Sequence, residues 1–101
     1  MAEVIDAATE EIVERMRSLV LCLARVLVDD GTSVSVTATS REGETILMLN
    51  MAPSDLGGVI GEHGRTARSL RVVLAAASMR YQHRFQLDIS ATASSVPIAT
   101  A

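Results

Sequence analysis

Gly61 and Gly64 enclose Glu62 and His63, and Arg65 follows at once, with Arg68 three residues beyond it. This spacing suits the holding of a phosphodiester backbone. Without side chains at the two glycines, a sugar-phosphate chain can approach the main chain closely. A helix starting at Gly64 or Arg65 would aim its N-terminal N–H groups and dipole at the same place, which favours a phosphate. Arg65 and Arg68, one turn apart, add charge and planar donors there. Rival glycine motifs are absent. No two glycines flank a single residue, which excludes G-x-G-x-x-G, and the chain has no lysine, which excludes a Walker A loop.

Other chemistries find little support. A single cysteine, Cys22, in an apolar run reads as a buried, inert thiol. One cysteine and two distant histidines do not make a zinc site, so no metal is expected. No paired carboxylates or nucleophile–base set stands at useful spacing, so neither an enzyme nor a cofactor is expected. Phe85 and Tyr81 are the only aromatics, too few for the base-stacking sheet of an RRM or OB fold. The longest apolar run, Leu19 to Val28, contains Arg25 and is too short to span a bilayer. With an acidic N-terminus in place of a basic leader, the expectation is a cytoplasmic protein with no membrane contact.

A net charge of −3 argues against a polyanionic partner until its distribution is considered. Residues 56–88 hold Arg65, Arg68, Arg71, Arg80 and Arg84 against Glu62 and Asp88, a local balance of +3, and the remainder carries −6. Local patches matter more to a polyanion than the total. All nine basic residues are arginine, the side chain suited to bidentate phosphate contacts.

The elements that must position the glycines are readable from periodicity. A long helix is expected from about Ala2 to Asp30, with Ile12, Met16, Leu19, Leu23, Val26 and Leu27 as its core stripe. Leu21 and Val28 would lie opposite, a candidate dimer contact, and Gly31 would be the C-cap. Glu3, Asp6, Glu10 and Glu11 suit the helix start. Alternation predicts strands over Ser33–Thr39 and Thr45–Met51, joined as a hairpin through Arg41 to Glu44. A short helix follows over Asp55–Ile60, opened by Pro53 or Ser54 and stopped by Gly61. A second runs to about Arg80 on a stripe of Ala67, Leu70, Val73, Leu74 and Ala77. Arg84–Ser90 is the last strand, with Phe85, Leu87 and Ile89 on one face. The order α-β-β-α-α-β predicts an α+β fold of two layers, a three-stranded sheet with its helices on one face. Residues 1–90 would form the domain and residues 91–101, without periodicity, a flexible tail.

A GxxG pair alone is a weak signal, but its helical flanks make it specific. The chain resembles the small bacterial single-KH-domain proteins of the KhpA (YlqC-like) family, from about Ile12 to Ile89. The likeness is carried by Leu27-Val28-Asp29, by Met51 to Gly57, by Val59-Ile60-Gly61-Glu62-His63-Gly64-Arg65, and by Ala67 to Arg71. It implies a type II KH domain whose groove holds about four nucleotides of single-stranded RNA. Val59, Ile60, Gly61, Glu62, His63, Gly64, Arg65, Arg68, Arg80 and Arg84 are its expected RNA-binding residues. The resemblance also implies pairing, as a homodimer or with a larger KH-containing Jag-type (KhpB) protein. The implied role is that of an RNA chaperone or post-transcriptional regulator linked to cell-envelope growth. The family's loop usually carries a basic residue where this chain has Glu62-His63, so either the clamp is weak or Arg65, Arg68, Arg80 and Arg84 supply most of the attraction. The acidic total and the surplus apolar helix surface keep open a second reading, a KH fold serving mainly as a protein-interaction module.

Overall fold

The computed structural model of the chain describes residues 7–91. Three helices and a three-stranded mixed sheet form the expected α+β arrangement: α1 (Ala7–Leu27), β1 (Ser35–Arg41), β2 (Glu44–Met51), α2 (Pro53–Ile60), α3 (Arg65–Tyr81) and β3 (Arg84–Ala91). The expected helix start over Ala2–Asp6, including Glu3 and Asp6, lies outside the described residues. So does the expected tail beyond Ala91, which itself closes β3.

β2 is the central strand. It pairs antiparallel with β1, where Arg41 faces Glu44, and parallel with β3, where Glu44 faces Arg84. Parallel neighbours need a long crossover, here the α2–α3 pair, and this crossover brings the Gly61–Gly64 turn to one end of the sheet. The alternation read from the sequence holds. Thr45, Leu47, Leu49 and Met51 are fully buried under the helices, while Met48 lies on the open face. Val34, Val36, Phe85 and Leu87 complete the sheet's share of the core.

The face that α1 buries differs from the expectation. Met16, Val20 and Ala24 are the buried residues, flanked by half-buried Ile12, Val13, Leu21, Leu23 and Val28. Leu19 and Leu27, assigned to the core stripe, are partly exposed, Val26 is 78% exposed, and Cys22, expected to be buried, is exposed as well. Leu21 and Val28, assigned to a dimer face, pack on the core instead. Almost every side of this half-helix is apolar, so periodicity alone could not choose. Small Ala24 lets the helix axis approach the sheet, which rotates the contact toward Val20 and Ala24.

Gly31 is not the C-cap. The helix ends at Leu27, the Val28 N–H still donates to the Ala24 carbonyl, and the main-chain N–H groups of Asp29 and Asp30 donate to the two carboxylate oxygens of Asp55 at 2.9 and 3.1 Å. Asp55 is only 5% exposed and ties the end of α1 to the first turn of α2. The Asp30 side chain then accepts from the Thr32 N–H and from the Thr32 and Ser33 hydroxyls, capping a short 3-10 turn over Gly31–Ser33. These donors hold the Asp30 carboxyl below its ordinary pKa. α2 starts two residues earlier than expected, with Pro53 at its first position, where its missing N–H is no loss.

Candidate nucleic-acid interface

The turn between α2 and α3 is built on three unusual backbones within four residues. Gly61 has φ 83°, ψ 168°, a region almost confined to glycine, and its N–H donates to the Gly57 carbonyl, ending α2. His63 and Gly64 follow in the left-handed region, at φ 57° and 71°. The Gly64 N–H donates to the Gly61 carbonyl and the Arg65 N–H to the Glu62 carbonyl, so the chain reverses within four residues and enters α3.

The two glycines are needed for different reasons. A Cβ at Gly61 would sit 2.3 Å from Thr66 Oγ1 and 2.9 Å from the Thr66 main-chain nitrogen. Gly61 therefore packs against the first turn of α3. At Gly64 nothing lies within 4 Å of such an atom, so this glycine faces open space, where a ligand backbone could come close.

That space continues as a groove along α3. A depression of about 500 Å³ is lined by His63, Gly64, Arg68, Arg71, Val72 and Ala75, which share one helix face. A second, of about 380 Å³, lies between α3 and β3, and Arg71 lines it as well, with Leu74 and residues 85–88. Arg71 spans the two elements: its Nε and Nη2 donate to the Leu87 carbonyl at 3.3 and 3.1 Å. Neither Arg68 nor Arg71 forms an ion pair with any described carboxylate.

Of the residues picked out by sequence, Gly61, Glu62, His63, Gly64, Arg65 and Arg68 lie together at the turn and the first coil of α3. Ile60 is partly exposed beside them, and Val59 is fully buried, a core residue beneath the turn. Arg80 and Arg84 are not brought there. Fifteen residues of helix separate Arg65 from Arg80, a rise of about 22 Å, and Arg84 starts β3 at that far end. Arg80 lies over the Tyr81 ring, 5.5 Å from its centroid, and holds the phenol below its ordinary pKa. His83 is drawn into the fold at the same end: its Nε2 shares a 2.7 Å hydrogen bond with the buried Thr45 hydroxyl, which also meets Ser40. Arg71 is the groove residue that sequence reasoning passed over. Its three-residue step from Arg68 was a usable signal, but its contact depends on β3 being the sheet edge.

On the other side of α3, Leu23, Val26 and Leu27 of α1 face Thr66, Ser69, Leu70 and Val73 across an apolar depression of about 290 Å³. Val73, expected in the core stripe of α3, is 43% exposed at its rim. α3 meets the sheet through Ala67, Leu70 and Leu74, which leaves Val73 on the flank. Among the described residues, no helix is long and apolar enough to cross a membrane.

Comparison with known proteins agrees with this geometry. The family model described as the KhpA/KhpB KH domain matches residues 17–89. A protein of Treponema pallidum named RNA-binding protein KhpA is 46% identical over 71 residues, covering 70% of this chain and 89% of the relative. Proteins of the same name from Clostridium acetobutylicum and Halalkalibacterium halodurans are 38% and 39% identical over 74 residues, 73% of this chain and 99% and 97% of theirs. The match takes in both glycines, the groove face of α3 and the β3 edge as far as Ile89, and with them the chain belongs to the KhpA/KhpB family of KH-domain proteins.

Proposed function

We propose that the chain binds single-stranded RNA, with its sugar-phosphate backbone at the Gly61–Gly64 turn and its bases along the groove between α3 and β3. One observation carries the reading: Gly64 opens at the N-terminus of α3 onto a depression lined by Arg68 and Arg71, neither ion-paired to a described carboxylate. A phosphate there would meet both the helix dipole and the Arg68 guanidinium. The name RNA-binding protein KhpA, shared by relatives that align over most of their length, supports the same ligand. Gly61, Glu62, His63, Gly64, Arg65 and Arg68 form the backbone clamp, with Ile60 at its side and Val59 supporting it from below. The domain spans residues 1–90 and acts in the cytoplasm as an RNA chaperone or post-transcriptional regulator tied to cell-envelope growth, the role implied by its resemblance.

The test is a titration of labelled single-stranded RNA at two salt concentrations, with the native chain and with His63→Asp/Gly64→Asp. Binding by the native chain falls with salt, as phosphate contacts require. The double variant binds at least about tenfold more weakly, since two carboxylates replace attraction by repulsion at the turn. Equal binding by the two proteins would remove the clamp.

The apolar depression between α1 and α3 favours a second, compatible reading, in which this face pairs with another KH domain. The partner is a second copy or a larger KH-containing protein of the KhpB type. Val26, Leu27 and Val73 expose apolar surface on both of its walls. Sedimentation that finds only monomer across a wide concentration range would remove the homodimer.

A further inference from the structure

The outer edge of β3 is partly occupied by groups from α3, and the way it is occupied leaves one guanidinium presented to the groove. Arg84 donates its N–H to the Gly43 carbonyl on the β2 side. Main-chain groups alternate in direction along a strand, so those of Phe85, Leu87 and Ile89 point to the free edge. The Phe85 N–H is taken by the Ser78 hydroxyl at 2.9 Å. The Leu87 carbonyl is taken by Arg71 through Nε and Nη2.

A guanidinium carries five N–H donors in one plane. The Leu87 carbonyl uses the pair on one side, Nε–H and one Nη2–H, and so fixes the plane of the group. The end-on pair, Nη1–H and the second Nη2–H, stays without a partner among the described residues. It stands where the two depressions of the groove meet, since Arg71 lines both. A fork held in this way complements two adjacent acceptors with no donor between them.

We propose that Arg71 is a base-selecting residue of the groove, and that the RNA it prefers carries guanine or cytosine at this position. The inference rests on the RNA-binding reading above. Guanine offers O6 beside N7, the pair that arginine meets most often in nucleic-acid recognition. Cytosine offers O2 beside N3. Adenine places an amino donor beside N7 and beside N1, and uracil places N3–H between its two carbonyls, so neither gives the fork two neighbouring acceptors on these edges. Because Leu87 has already oriented the guanidinium, little side-chain freedom remains to be lost on binding.

The probe is a hexauridylate with one central nucleotide replaced by guanosine, cytidine or adenosine, titrated into the native chain. Guanosine and cytidine should bind on the order of tenfold tighter than adenosine or the all-uridine strand, the discrimination expected of one bidentate contact. Replacing guanosine by 7-deazaguanosine, which lacks N7, should remove its advantage. Arg71→Lys keeps the charge but not the fork, and should bind all four strands alike with unchanged salt dependence, its fold checked by circular dichroism. If native binding is indifferent to the central base, or if Arg71→Lys weakens every strand equally, Arg71 contacts phosphate and the base selection is wrong. If the native chain binds none of the strands, the RNA reading falls and this inference with it.

Discussion

The two ends of α3 are made from similar parts and do different things. Each carries arginines, a histidine in the adjoining turn, and a non-glycine residue in the left-handed region, His63 at one end and Gln82 at the other. At the Gln82 end several polar groups are consumed by the fold. His83 meets Thr45, Ser78 receives the Phe85 N–H, and Arg80 lies over Tyr81. At the Gly64 end, Arg68 has no described ion-pair partner, and Arg71 has given only one edge of its guanidinium to Leu87. Charge and residue type do not separate the two ends. What separates them is where the unmatched groups stand: Arg84 has no described ion-pair partner either, but Arg68 and Arg71 line an open groove beside Gly64, and only unmatched groups beside open space have binding energy left for a ligand.

Substitutions can break this comparison. The largest effect is expected at the paired glycines. Gly61→Ala places a Cβ against Thr66 and forces alanine into a region it does not hold, at a cost of at least about 2 kcal/mol. Gly64→Ala meets no neighbour and costs about 1 kcal/mol for its left-handed backbone. Chemical denaturation of both variants would show the order, and equal losses would contradict the separate roles given to the two glycines.

Ser78→Ala strips a partner from the Phe85 N–H at the far end and should destabilise by about 1–2 kcal/mol. RNA affinity, measured well below the unfolding midpoint, should not change. A loss of RNA binding there would mean that the far end also contacts the ligand.

A smaller effect separates the arginines. Arg68→Ala should lower RNA affinity several-fold and reduce the slope of log affinity against log salt by about one, the loss of a single phosphate contact. Arg84→Ala should leave both nearly as they are. An equal drop in the two variants would restore the far-end arginines to the interface.

The smallest effect is local. Tyr81 is the only tyrosine and the chain has no tryptophan, so its phenolate can be followed by ultraviolet absorbance. Its hydrogen bond from Arg80 lowers its pKa in the folded state. A depressed folded pKa contributes stability that is present above the unfolded value and is lost as pH falls through the folded one. Arg80→Ala should return the titration toward the ordinary phenol range, and an unchanged curve would mean that Arg80 is not the cause.

Element order, the faces of all three strands and the place of the Gly61–Gly64 turn were legible in the residues. Strand alternation is unambiguous in β2, where Leu47, Leu49 and Met51 read as one face and are one, with Thr45 joining them in the fold. Less was legible where several residues satisfy the same local rule. In α1, Leu19, Val20, Leu21, Leu23, Val26 and Leu27 are all apolar, and the sheet selected among them. Gly31 had the composition of a C-cap, but the buried Asp55 carboxylate had already satisfied the chain leaving the helix.

The sequence by itself determined a helix–GxxG–helix turn inside an α-β-β-α-α-β chain, because glycine conformation and apolar periodicity are local properties. Only the tertiary structure decided which arginines share the groove. Arg80 at the end of α3 and Arg84 at the start of β3 are left at the far end from the Gly61–Gly64 turn, while Arg71 and Leu87, sixteen residues apart, are brought into contact. The parallel pairing of β2 with β3 puts β3 at the sheet edge, and the α2–α3 crossover lays α3 beside it. The Arg71–Leu87 contact comes from that non-local pairing, which no window of sequence contains.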